Sequence, residues 1–104
     1  MGQSLVLSTR SHGVSGTATV IDDCTIEVEG FNYDGGGVDV RFYGGLGGNY
    51  VNGFPMTDDL VGTRFTNDQL TITIPDGRSL DDIDGLSVWC FDFSVSFGDG
   101  LFAP

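Results

Sequence analysis

The chain has 104 residues, 15 of them Asp or Glu against 4 Lys or Arg, for a net charge of −11. That length supports one domain with one core, burying roughly two-thirds of the surface exposed by the unfolded chain. The charge repels nucleic acid and anionic headgroups, so partners are expected to be cationic, metallic or neutral. No run approaches the about 20 apolar residues of a membrane helix, so direct membrane insertion is not expected either.

Met1-Gly2-Gln3 does not read as a signal peptide. With the end at Phe102-Ala103-Pro104, it suggests a single β domain at 1–104, excised as a module from a larger secreted or membrane-anchored protein. The 17 glycines, set among Thr, Val, Ile and Phe, disfavour helices and leave a period-two pattern. Val14, Gly16, Ala18 and Val20 share one face of a first strand. After a turn at Asp22-Asp23, Cys24, Ile26 and Val28 line the inner face of the next, with Thr25, Glu27 and Glu29 toward water. Phe31 and Tyr33 fall out of that phase, which places a bulge at Gly30 that returns both aromatics to the core.

From the turn Gly35-Gly36-Gly37, Val38, Val40 and Phe42 alternate with Asp39, Arg41 and Tyr43. Residues 44–68 are glycine-rich and poorly patterned, and are expected to form a functional loop that exposes Tyr43, Tyr50 and Phe54 for stacking on a glycan or a partner protein. The other use of such aromatics is to fill a satellite core. Leu70, Ile72 and Ile74 define a further strand, stopped by Pro75-Asp76-Gly77. Ser79 to Ile83 predicts one helical turn, with Ser79 as cap, Asp82 at the third position and Gly85 beyond its end. A last long strand, central in its sheet, is expected to place Trp89, Phe91, Phe93, Val95 and Phe97 on one face and Val88, Cys90, Asp92, Ser94 and Ser96 on the other. Together these elements predict an all-β antiparallel sandwich, with a small barrel as the alternative and at most one short helical turn.

Two cysteines in a small secreted domain are read first as a disulfide. A Cys24–Cys90 bond would close a long loop, worth on the order of 4 kcal/mol by chain entropy. The other readings are a redox-active or ligating thiol, which requires a lowered thiol pKa or a metal, and a pair of unbonded buried thiols. The acidic flanks Asp22, Asp23 and Asp92 work against thiolate formation. Asp76, Asp81, Asp82 and Asp84 are candidate calcium ligands, although their spacing is not that of an EF-hand. Turn initiation and helix capping also use aspartates this way. Gly44-Gly45-Leu46-Gly47-Gly48-Asn49 lacks the register and lysine of a phosphate loop, and no nucleophile–base–orienter set is evident, so no catalytic residues are assigned and an enzyme is the less favoured class.

The runs His12-Gly13-Val14-Ser15-Gly16-Thr17-Ala18-Thr19-Val20, Asp23-Cys24-Thr25-Ile26, Phe31 to Tyr43, Leu86-Ser87-Val88-Trp89-Cys90 and Phe93 to Gly98 together resemble the DM-thirteen domain. This is the Skeletor-type companion of DOMON modules. The resemblance covers nearly the whole chain. It implies an extracellular β-rich accessory module with an electron-transfer role centred on Cys90, located outside the cell, at its surface or in the periplasm, and working with other domains of a parent protein or an extracellular protein or glycan. A Cys24–Cys90 bond would remove the free thiol from that picture. Neighbouring DOMON modules resemble haem or sugar binders, but haem is not expected here. Its axial ligands would have to come from His12, Met1, Met56 or the cysteines, and no apolar ligating pocket is indicated. The two expectations carried forward are an electron-transfer module and a disulfide-stapled, calcium-tuned adhesion or partner-binding module.

Overall fold

The computed structural model describes residues 3–103. In chain order its strands are β1 (Ser4–Val6), β2 (Ser15–Asp22), β3 (Thr25–Tyr33), β4 (Val40–Leu46), β5 (Asn49–Pro55), β6 (Phe65–Thr73), β7 (Gly85–Cys90) and β8 (Val95–Leu101), with a 3-10 turn at Leu80–Asp82 before β7. They form two four-stranded antiparallel sheets, β1-β2-β3-β6 and β5-β4-β7-β8, so the fold is the expected sandwich and not the barrel.

The period-two pattern builds the core. Ala18, Val20, Ile26, Val28, Phe31, Tyr33 and Ile72 of the first sheet meet Val40, Phe42, Leu86, Val88, Cys90 and Phe97 of the second. Gly30 has φ +61, and the β3 register shifts between Val28 and Phe31. The bulge therefore does what the sequence suggested: Phe31 and Tyr33 are buried in phase with the core. The helical turn also forms as read. Ser79 accepts a hydrogen bond from the Asp81 N–H, and Asp82 reaches back to the Ser79 N–H at 2.8 Å, completing a capping box.

Three expectations are corrected. First, the 44–68 stretch is mostly sheet. The end of β4, all of β5 and the start of β6 lie in it, leaving only residues 56–64 as connection. Gly47 and Gly48, at φ +62 and +79, make the tight β4–β5 turn, since both central residues of such a hairpin turn need positive φ. A side chain at Gly53 would strike the Gly44 carbonyl, so this hairpin requires glycine where a hydrophobic alternation would otherwise mark a strand.

Second, the last long strand is two. Phe91 to Ser94 form a turn, with the Ser94 N–H donating to the Phe91 carbonyl at 3.3 Å and Ser94 at φ +49. Register across it pairs Cys90 with Val95 and Trp89 with Ser96. β7 is the central strand the pattern required, buried at all six positions, whereas β8 is an edge. Third, Cys24 is not on an inner face. Asp22 pairs with Thr25, which makes Asp23-Cys24 the two-residue turn itself and leaves Cys24 exposed.

One flank of the sandwich is closed by the chain ends. Ser4 bridges Ala103, and the Ser8 N–H donates to the Asp99 carbonyl at 2.8 Å. Gly98 permits this approach, because a side chain there would run into the Ser8 carbonyl and Val14.

Candidate functional site

Register places the two cysteines at opposite ends of the molecule. Cys24 precedes Thr25 at the start of β3, in the same region as the helical turn, where Asp23 shares a surface recess with Ser79, Leu80 and Asp81. Cys90 ends β7, pairs with Val40 and lies near Tyr33 at the far end of β3. The span between is the length of β3, on the order of 25 Å at about 3.3 Å per residue. A disulfide needs Cα atoms within about 7 Å. The expected Cys24–Cys90 staple is therefore overturned, and both thiols are free. The staple required Cys24 on an inner face and Cys90 within a single long strand. Neither placement survives the two turns described above.

The Cys90 thiol is fully buried, with 0% exposure, and donates to the Val38 carbonyl at 3.1 Å. Three backbone bonds fasten the segments around it. The Phe91 N–H donates to the Asp39 carbonyl at 3.0 Å, the Leu60 N–H to the Val40 carbonyl at 2.7 Å, and the Gly62 N–H to the Gly35 carbonyl at 2.9 Å. Asp59 adds side-chain acceptance from the Val40 and Val61 N–H groups at 3.1 and 3.0 Å. Tyr33 forms the adjoining wall, with its hydroxyl donating to the Gly36 carbonyl. Burial, reinforced by the nearby Asp34 and Asp59 charges and by Cys90, pushes the Tyr33 phenol up to about 12.

The chain's single histidine belongs to the same end. His12 Nδ1 lies 3.0 Å from both oxygens of Asp34, and its ring packs on Phe97 with centroids 4.2 Å apart. The Gly36 N–H, at 2.8 Å from Oδ1, holds the Asp34 carboxyl below the usual carboxylate range, and His12 adds to this. In the sequence His12 lies 22 residues from Asp34, with no motif that joins them. The β2–β3 hairpin that starts from the Asp23-Cys24 turn carries two register shifts, and beyond β2 the Asp34 N–H donates to the His12 carbonyl at 3.1 Å, which sets the two side chains together.

The remaining candidates are scattered. Tyr43, Tyr50 and Phe54 are not exposed. Tyr43 and Tyr50 pack with Trp89 in a small cluster on the outer face of the second sheet, and Phe54 joins the main core with Arg78 stacked on its ring at 4.5 Å. This is the satellite core, and it covers the outer side of β7. The Tyr50 hydroxyl donates to the Leu86 carbonyl at 3.1 Å.

Of the four candidate calcium ligands, Asp82 is held by the capping box and Asp84 accepts from the Gly47 N–H at 2.9 and 3.0 Å; Asp76 sits in the turn after Ile74 and Asp81 in the helical turn. Among the described residues no three His, Cys, Asp or Glu side chains converge as a metal site, so these four do not form one ligand set. Of the haem-ligand candidates, Met56 is buried in the core and His12 is engaged by Asp34, while Met1 lies outside the described residues. Met56 and His12 line different surface recesses, and Cys24 and Cys90 lie at opposite ends of the sandwich.

Comparison with known proteins agrees with the resemblance read from the motifs. Residues 6–101 match the family described as Electron transfer DM13. The chain is 37% identical over 105 residues to Protein Skeletor, isoforms B/C, of Drosophila melanogaster, covering 94% of this chain and 13% of that protein. It is equally similar to isoforms D/E, of which it spans 7%. The chain thus corresponds to a small fraction of the length of these relatives. No solved structure matches it significantly. The match over residues 6–101, with relatives 37% identical over 94% of the chain, makes this chain a member of the DM13 family.

Proposed function

We propose that this chain is an extracytoplasmic accessory module for electron transfer whose redox group is the Cys90 thiol. The observation that carries the reading is an unbonded cysteine, fully buried and held by a backbone carbonyl, at the end of the central strand. Thiol–disulfide exchange requires in-line access to the sulfur, and burial denies it. One-electron exchange needs no such access: a partner's oxidised redox centre takes the electron across the Phe91–Ser94 turn, Cys90 is left as a thiyl radical, its proton leaves to solvent when the turn opens, and reduction reverses each step. The family description supports the electron-transfer part of this reading.

Cys24 offers the contrasting chemistry. It is exposed on a turn whose Asp22 carboxylate accepts from the Cys24 N–H at 3.0 Å, and it is open to solvent oxidants and exchange. Its part in the proposal is none.

Voltammetry of the purified protein tests the assignment. The wild type and Cys24→Ser are expected to give the same redox wave, and Cys90→Ser is expected to lose it while keeping the β-sheet circular dichroism and dispersed amide spectrum. A wave that persists in folded Cys90→Ser, or a wild type that is silent, defeats the proposal.

A further inference from the structure

The turn that caps Cys90 is unusual for what it shows to water. Turn positions favour Gly, Asn, Asp and Ser, yet here Phe91 is 56% and Phe93 69% exposed, and the flanking Val95 and the nearby Val38 are also among the exposed large hydrophobics. Two phenylalanines exposed to this degree present on the order of 250 Å² of apolar surface, given 150–250 Å² for a whole ring side chain. With Val38 and Val95 the exposed apolar area at this end reaches roughly 300–400 Å², the range in which a small domain's largest patch is often functional.

Its position is the second observation. Val38 supplies the carbonyl that holds the Cys90 thiol, Phe91 follows Cys90 directly, and Val95 is its cross-strand partner. The third is charge. Asp92 lies between the two phenylalanines and is exposed. The same end of the sandwich carries Asp34, Asp39 and Asp59; Asp39 is paired with Arg41 at 3.0 Å and Asp34 lies against His12 and near Arg64, so the carboxylates still outnumber the arginines there. An apolar tip rimmed by carboxylates, on a chain of net charge −11, complements an apolar depression ringed by lysines or arginines.

We infer that the Phe91–Ser94 turn, with Val38 and Val95, is the docking tip through which this domain engages a basic-rimmed redox protein. The inference rests on the reading of Cys90 as the redox group and adds the surface and the partner chemistry. Docking here brings the partner against the turn itself, so the buried sulfur is separated from it by little more than one layer of backbone. The rim carboxylates steer the encounter, and the two rings fill the depression.

The test uses cytochrome c, a redox protein with a lysine-rimmed apolar face, as the probe. Amide shift changes at low ionic strength are expected to concentrate on Val38, Asp39 and residues 91–95. The double variant Phe91→Ser/Phe93→Ser is expected to bind at least tenfold more weakly, and Leu101→Ser, which removes an exposed apolar side chain at the opposite end, to bind as the wild type does. Added salt is expected to weaken binding further.

No binding, shifts spread over acidic surface away from the turn, or a double variant that binds as tightly as the wild type each overturn the inference. So does uptake by phosphatidylcholine vesicles that the double variant abolishes, which would make the tip a membrane anchor. A dimer in sedimentation that the same variant dissociates would make it a self-association face. Cys90→Ser is expected to bind unchanged while losing its voltammetric wave. The binding isotherm reads the tip and the wave reads the thiol, so each reading can fail alone.

Discussion

The two ends of this sandwich carry the same residue type in opposite circumstances. At one end Cys24 sits on a two-residue turn, exposed, beside a capped helical turn and local aspartate hydrogen bonds. At the other, Cys90 is enclosed by Val38, Val40, Val95 and the Tyr33 wall, under a turn that exposes two phenylalanines. The first end spends its polar groups on its own backbone. The second sets two exposed phenylalanines on the turn that follows its cysteine. A cysteine's meaning is thus set by the strand register that encloses it and not by the number of cysteines in the chain.

The largest expected effect is kinetic. Without reductant, a colorimetric thiol reagent should find two thiols in denaturant and one fast thiol in the native protein. Cys90 should react on the order of a thousandfold more slowly than Cys24, corresponding to a local opening free energy near 4 kcal/mol. No thiol in denaturant would restore the Cys24–Cys90 disulfide and collapse the contrast between the ends. Equal native rates would show that the Cys90 enclosure is open in solution.

Stability should divide the same way. Cys90→Ala removes a buried sulfur and leaves the Val38 carbonyl without its donor, for an expected loss of roughly 1–3 kcal/mol. Cys24→Ala, at an exposed turn position, should stay within about 0.5 kcal/mol of the wild type. Urea titration of both variants measures the difference. Comparable losses would mean that the Cys24 turn carries tertiary contacts that its exposure does not suggest.

Much of this architecture is legible in the sequence, and the places where it is not share a physical cause. The alternations through Ala18–Val20, Ile26–Val28, Val40–Phe42 and Leu70–Ile74 report strands with one buried face, and Gly30 reports its bulge because two aromatics fall out of phase around it. Ser79 and Asp82 report the cap directly. β5 is silent because Gly53 and the Gly47-Gly48 turn take the places where side chains would show a period. The Phe91–Ser94 turn is worse than silent: its exposed phenylalanines continue the alternation of the strand before it, so a surface feature imitates core. That imitation concealed the site, since Cys90 is identified as the end of a strand only once the turn is seen. The His12–Asp34 pair is hidden because two register shifts in the β2–β3 hairpin break the count from its turn.

The Cys90 end also has a pH signature. Burial raises Tyr33 from 10 to about 12, so the folded state holds a proton that the unfolded chain releases above pH 10. The stability this contributes is complete below pH 10 and falls as pH rises through 12. Phenolate absorbance near 295 nm should therefore appear together with unfolding, and Tyr33→Phe should flatten the alkaline loss of stability. Phenolate that forms in the folded protein near pH 10 and is lost in Tyr33→Phe would show that the wall beside Cys90 is wet.

The smallest effect asks whether the two ends are coupled. Ser79→Ala removes the cap at the Cys24 end, for an expected loss of about 1 kcal/mol. If Cys90 becomes reactive only on global unfolding, that loss must raise its labelling rate about fivefold, the factor that 1 kcal/mol sets on an unfolding equilibrium. If Cys90 is reached by opening of the Phe91–Ser94 turn alone, its rate should not move. The latter is expected, because none of the hydrogen bonds that enclose the thiol runs through residues 79–83. The measurement is the Cys90 labelling rate in Cys24→Ser and in Cys24→Ser/Ser79→Ala under identical native conditions. Equal rates locate the gate at the docking tip, and a fivefold acceleration makes the enclosure a property of the whole sandwich.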